Sequence, residues 1–216
     1  MSRVAVFDLD GTLLGGTSAE RLLLPYLVRR GLVGWRQLAA ALPTALAFPV
    51  TGPTSALRRN KRWLSGIAVE HLRGPLDDFV AEALPPYWTD AVRGRLERLR
   101  AQGAHIVLLT GAPDVVAEPI GRHLGCARIV ATSMEVREGT LTGALAGPHL
   151  YAEQKRVVLL ELAHAEGWDL SISFGFADRS ADVPFLECFG HPVAVAPTRR
   201  LRRIAKRRGW EIVAPA

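Results

Sequence analysis

The sequence predicts an α/β protein with a parallel sheet, helices on both faces, and an all-helical insertion directly after the first strand. Short β-branched and apolar runs alternate along the chain with stretches of helical periodicity, which is the pattern of a parallel sheet. From Thr17 to Leu84 that alternation stops, and the segment reads as helices with no strand between them. The chain has 216 residues, 49% hydrophobic and 22% charged, so it can bury a sizeable core and global disorder is excluded.

The first strand expected is Arg3–Leu9, starting almost at the N-terminus with no signal-peptide pattern before it. The insertion at 17–84 reads as a helical cap, which leaves 1–16 and 85–216 as the core domain. Inside the cap, Gln37 to Leu57 is 21 residues without a charge. That length would allow a membrane span, but Pro43, Pro49, Gly52 and Pro53 interrupt any helix, so a buried or membrane-interfacial surface is expected instead. Beyond the cap, helices are expected at Trp88–Gln102, Pro113–Leu124, Glu153–Glu166 and Thr198–Arg208. In the first of these, Val92, Leu96 and Leu99 recur at helical spacing, and Gly103, Gly125 and Gly167 stand where helix stops belong. Strands are expected at His105–Thr110, Arg128–Thr132, Ser171–Ala177 and Pro192–Ala196. Met134–Val136 and Thr140–Leu145 should form a hairpin about Glu138-Gly139.

Charge is unevenly placed. The last 18 residues carry seven Lys+Arg and one acid, so the first 198 hold 20 of each and the net +6 belongs to the tail. One basic tail on a neutral body does not predict a nucleic-acid-binding surface. Cys126 and Cys188 stand far apart without a CxxC or Cys/His cluster. A disulfide framework or structural zinc is therefore not expected, and a cytoplasmic, reducing setting is.

Four segments carry chemistry. In Val4-Ala5-Val6-Phe7-Asp8-Leu9-Asp10-Gly11-Thr12 an apolar strand ends in two aspartates at i and i+2, starting toward the same side, and Gly11 lets the backbone turn away. Two crowded carboxylates repel unless a cation or proton neutralises them, and a divalent metal is the natural partner. Ile106–Leu109 runs into Thr110-Gly111, a hydroxyl and free N–H groups suited to phosphate oxygens. Lys155 is one of only three lysines against 24 arginines, and a compact ammonium in place of a guanidinium fork suggests a point-charge role. Phe174–Ala177 runs into Asp178 and Asp182, four apart across a strand-to-helix turn. Asp178 can reach a metal held by Asp8, and Asp182 can orient ligands from behind. The plainer alternatives are a solvated Lys155 paired with Glu153 or Glu161, and helix capping by Asp178 or Ser180.

In this order on successive strand ends, the four segments resemble the motifs of the haloacid dehalogenase superfamily. Cap placement and the Ala-Asp-x-Ser-x-Asp-x-Pro-Phe-Leu form of the last motif (177–186) are similar to its phosphoserine-phosphatase-like branch, subfamily IB. The resemblance implies a Rossmannoid core and a Mg²⁺-dependent phosphomonoesterase, with Asp8 as nucleophile and Asp10 as general acid/base. It implies Thr110, Gly111 and Lys155 on the phosphate, Asp8, Asp10 (through its carbonyl) and Asp178 on Mg²⁺, and Asp182 behind them. Its substrate is expected to be a small phosphorylated metabolite or a lipid-headgroup phosphate. Phosphoserine phosphatases place a glutamate seven residues after the second aspartate. Here that position is Thr17, with Glu20 three residues later, which argues against phosphoserine itself. Glu20 and the cluster Arg58, Arg59, Lys61 and Arg62 are cap candidates for reading the substrate, Arg58, Arg59 and Arg62 foremost. Two other readings are phosphotransfer to an alcohol acceptor and a non-catalytic protein binding membrane or nucleic acid through its tail. No nucleic-acid partner is expected, and peripheral contact with the inner face of a membrane is the added expectation.

Overall fold

The computed structural model describes residues 2–46 and 61–214. Strand β1 (Val4–Phe7) is buried at every position, as a central strand covered on both faces must be. The insertion follows with α1 (Ala19–Arg29), capped by the Ser18 hydroxyl accepting the Arg21 N–H, and α2 (Trp35–Leu46). A 3₁₀ turn at Arg62–Leu64, α3 (Val69–Asp78) and a wide turn at Phe79–Ala83 complete it. The core resumes with α4 (Asp90–Ala101), β2 (His105–Pro113), α5 (Asp114–His123) and β3 (Arg128–Thr132). The hairpin β4 (Met134–Arg137) and β5 (Thr140–Leu145) comes next, then α6 (Glu153–Glu166) and β6 (Phe174–Ala177). The short α7 (Val183–Leu186), β7 (His191–Val195), α8 (Arg199–Arg208) and β8 (Glu211–Val213) close the fold.

The main sheet is parallel throughout, in the order β3-β2-β1-β6-β7-β8. The chain moves outward from β1 to β3 and returns to β6 on the other side of β1. Strand order therefore reverses between β1 and β6, and the crevice at their carboxyl ends is where such sheets bind ligands. Alternation along the strands sorts the core into two layers. Ala5, Phe7, Leu108 and Phe176 join α4, α5 and the buried side of the insertion, including Leu23, Leu27, Leu72 and Phe79. Val4, Val6, Val107 and Leu109 face Leu159 and Ala163 of α6, Phe185 of α7, and Leu201 and Ala205 of α8.

Beyond its packing on α4 and α5, backbone hydrogen bonds fasten the insertion in two places. Its entering and leaving segments bond to each other, the Gly15 N–H to the Tyr87 carbonyl and the Thr89 N–H to the Leu13 carbonyl. Residues 66–69 also pair with the hairpin: Gly66 and Val69 donate to Leu141 and Gly139, and Leu141 donates to Ile67. The close approach requires Gly143, which has φ +80° and whose added Cβ would stand 2.8 Å from the Arg62 Cα.

Most expected elements are present within a few residues, with three differences. The strand expected from Ser171 begins at Phe174, because the Asp169 carboxylate accepts the Ser171 N–H and hydroxyl and holds Leu170–Ile172 in a 3₁₀ turn. β2 runs three residues past Thr110 to Pro113. The three-residue edge strand β8 was too short to stand out by pattern. Of the uncharged run, 47–57 lies outside the described residues, and among those described no helix is long and apolar enough to cross a membrane.

Candidate active site

The carboxyl ends of three neighbouring strands, β2, β1 and β6, converge on a cavity of about 580 Å³ under the insertion. Asp8 continues β1, its N–H bonded to the Phe176 carbonyl of β6, so the register of the sheet fixes where its side chain starts. Asp8 extends the alternation of Val4 and Val6, toward the face covered by α6, and from that helix Lys155 reaches it. The Lys155 ammonium lies 2.7 Å from Asp8 Oδ1 and 3.0 Å from Asp182 Oδ1, and all three residues are buried. Lys155 is thus no solvated helix lysine, and Glu153 pairs with Arg156 instead. Neither Asp178 nor Ser180 caps a helix through its side chain.

Asp10 points elsewhere. Its Oδ1 accepts the Ala19 N–H at 2.8 Å, at the start of α1, so the insertion's first helix holds the carboxyl in place. Asp178 sits against Gly11, which has φ +83° and no room for a side chain: an added Cβ would stand 2.3 Å from Asp178 Oδ2. Thr110 is buried, its hydroxyl accepting the Ala112 N–H, and the Gly111 carbonyl accepts the Thr132 hydroxyl. Thr110 and Gly111 line the cavity together with Lys155, and His149 and Leu150 stand beside Gly111.

Electrostatics follow from burying so many acids together. Burial pushes the Asp8 carboxyl up to about 6 against the pull of Lys155, and burial likewise raises Asp10 to about 6. Asp178 rises to about 7, through burial first and then the Asp8 charge, with Arg179 opposing. For Lys155, burial alone would favour the neutral amine, but Asp182 and Asp8 outweigh it and hold the ammonium above the usual lysine range.

Carboxylate oxygens of Asp8, Asp178 and Asp182 lie within 4.8 Å of one another, and Asp178 Oδ1 is buried with no hydrogen-bond partner. A hard, all-oxygen donor set with an unsatisfied acceptor fits a divalent cation such as Mg²⁺. Asp182, expected behind the ligands, stands within that group as well as on Lys155. The role expected of Asp10 concerns its carbonyl, and its carboxylate is not in the group.

The cap candidates divide. Glu20 lines the cavity, where its carboxylate meets the ammonium of Lys61, itself only 2% exposed. Arg62, the neighbour expected to read the substrate, is exposed and absent from the lining, because the 3₁₀ turn sends Lys61 and Trp63 inward. Arg58 and Arg59 lie outside the described residues. Lys61, expected only as a member of that basic cluster, turns into the pocket, and the lining residues missed in the sequence include Arg21 and the stretch 149–151. The scarcity of lysine, which singled out Lys155, would have singled out Lys61 too.

Comparison with known proteins places this arrangement. The family model described as haloacid dehalogenase-like hydrolase matches residues 5–187. The chain is 31% identical over 215 residues to the inhibition of morphological differentiation protein of Streptomyces azureus, covering 97% of this chain and 77% of the relative. It is 29% identical over 218 residues to a phosphoserine phosphatase of Mycobacterium tuberculosis, covering 98% and 70%. A solved structure of a protein of unknown function from Bordetella pertussis Tohama I superposes with a TM-score of 0.85 at 27% identity, over the whole of both chains.

Proposed function

The chain belongs to the haloacid dehalogenase-like hydrolases and is a phosphatase, and from that premise we propose that it hydrolyses a small phosphomonoester through an aspartyl-phosphate on Asp8. The observation that carries this reading is the Asp8–Lys155–Asp182 bridge, with Asp10 held separately by the Ala19 N–H. One carboxylate is pinned at the sheet edge for attack, while the other keeps a different partner and is free for proton transfer. The Asp8 carboxylate would attack phosphorus as the ester P–O bond breaks, and Asp10 would give its proton to the departing alkoxide. Asp10, now ionised, would take a proton from water as that oxygen attacks phosphorus. The Asp8–phosphorus bond then breaks, and inorganic phosphate leaves with Asp8 restored. Dividing one displacement into two lowers the barrier to each.

Positioning and charge neutralisation do most of the work in such transfers. Thr110, the Gly111 N–H and Lys155 would hold the phosphoryl oxygens. Asp8, Asp178 and the Asp10 carbonyl would hold Mg²⁺, with Asp182 beside them. Bound there, Mg²⁺ would offset the crowded carboxylates and the incoming phosphate charge. The pair of buried Lys61 and half-buried Glu20 stands close enough to Asp10 for both charges to act on its carboxyl, which puts the pair on the leaving-group side. The substrate is a small phosphorylated metabolite or a lipid-headgroup phosphate.

Phosphate release from a panel of phosphomonoesters, phosphoserine among them, tests the reading. Mg²⁺-dependent release that EDTA abolishes and that Asp8→Asn lacks is the expected result. Turnover by Asp8→Asn comparable to the unaltered protein would overturn it.

A further inference from the structure

Helix α8 carries Arg199, Arg200, Arg202, Arg203, Lys206, Arg207 and Arg208, all exposed. Its apolar stripe is already used, since Leu201 and Ala205 are buried in one layer with Ala194 of β7 and Phe185 of α7. The helix therefore cannot roll or insert, and its basic side is fixed outward. Among the described residues only Arg208 meets an acid, Glu187, and it also lies over the Trp210 ring. Six cations are left facing water on a chain whose first 198 residues balance acid against base. At 100° per residue, Arg199, Arg200, Arg202, Arg203, Lys206 and Arg207 share one broad face of the helix.

We propose that this face docks the protein on an anionic lipid surface. The requirement it meets is charge complementarity with a plane: a continuous single-sign face, with no acid inside it. Clusters of this size on a helix are the signature of attraction to anionic headgroups. A nucleic-acid face would interleave amide, hydroxyl or aromatic side chains to read or stack on bases, and this face has none. Docking also has a defined relation to the cavity. The Thr198 N–H donates to the Asp178 carbonyl, and Ala196, two residues earlier, lines the pocket, so the helix starts at the pocket's rim. The inference is independent of the reaction assigned to that pocket.

Vesicle co-sedimentation of the full chain tests it, using phosphatidylcholine alone and phosphatidylcholine with about a third replaced by phosphatidylglycerol. Binding is expected only to the second, and it should weaken steeply as salt rises. The triple variant Arg199→Gln, Arg203→Gln, Arg207→Gln alters surface positions only. At about 1 kcal/mol per basic residue it should bind about 100-fold more weakly, with phosphate release in solution unchanged. Failure to bind, equal binding to both vesicles, or binding retained by the triple variant would overturn the proposal. So would tighter binding to single-stranded RNA than to anionic vesicles at the same salt, which would assign the face to nucleic acid.

Discussion

Replacing Asp178 by asparagine should stabilise the metal-free protein at alkaline pH, although the residue sits in the centre of the site. In the folded state the Asp178 carboxyl titrates near 7, against an ordinary 3.8, because it is buried and faces the Asp8 charge. An acid whose folded value is raised binds more protons folded than unfolded across that interval. Its contribution is fully present below the ordinary value and is lost as pH rises through the folded value. The full shift is worth about 4 kcal/mol at roughly 1.4 kcal/mol per unit, and about 2–3 kcal/mol of it falls between about pH 5 and about pH 8. Asparagine carries no charge to bury, keeps an oxygen for the Arg179 contact, and escapes that loss. At about 2–4 °C per kcal/mol for a chain of this size, the variant's melting temperature relative to the unaltered protein should rise by about 5–10 °C between those pH values. Thermal melts in EDTA at both pH values measure it. Addition of Mg²⁺ should reverse the order at about pH 8, since only the unaltered protein gains a full ligand set. Melting temperatures that run parallel with pH for the two proteins in EDTA would refute the electrostatic account.

Lys155→Ala should leave Asp8 and Asp182 buried without their shared cation, at a cost of about 3–5 kcal/mol, and should abolish phosphate release; denaturant melts and turnover check the two parts. Gly11→Ala should combine the cost of a positive φ, about 1–2 kcal/mol, with a collision against Asp178. Calorimetric titration with Mg²⁺ should then show affinity lowered at least tenfold. Lys61→Met should leave the Glu20 carboxylate unpaired against the cavity. Its effect should fall on KM for bulky phosphomonoesters, and, since the Glu20 charge then acts unopposed on Asp10, the pH profile of kcat on a minimal ester should move to higher pH.

The sheet was legible because each strand is a buried apolar run, and such runs have few alternatives. Site residues were legible for a related reason. Asp8, Asp178 and Thr110 each interrupt such a run at its carboxyl end, and topology brings those ends together. Lys155 stood out only through the chain's preference for arginine. The cap was less readable, since its helices are set by packing against one another and against the hairpin. No local pattern announces that Lys61 turns inward while Arg62 stays in water; the 3₁₀ turn that decides it depends on Gly143 far along the chain. The strand expected from Ser171 starts three residues late because the Asp169 side chain competes locally for the Ser171 backbone, against the strand preference of the β-branched Ile172.

The pairing of residues 66–69 with the hairpin alters how a cap of this kind can move. A lid joined only by its stem at 13–15 and 87–89 would swing about one hinge. This one has a second fastening on the opposite flank, three backbone bonds strong, to a strand pair that leads within ten residues to Lys155. Swinging the lid alone would tear those bonds, so the hairpin must travel with it as one body. The pivots then fall on Ser133, between β3 and the hairpin, and on residues 146–152, where Ala152 already carries φ +52°, a conformation costly for anything but glycine. Opening would thus pull on the very stretch that leads to Lys155 and its bridge to Asp8, making admission to the cavity and the setting of that bridge two readings of one displacement.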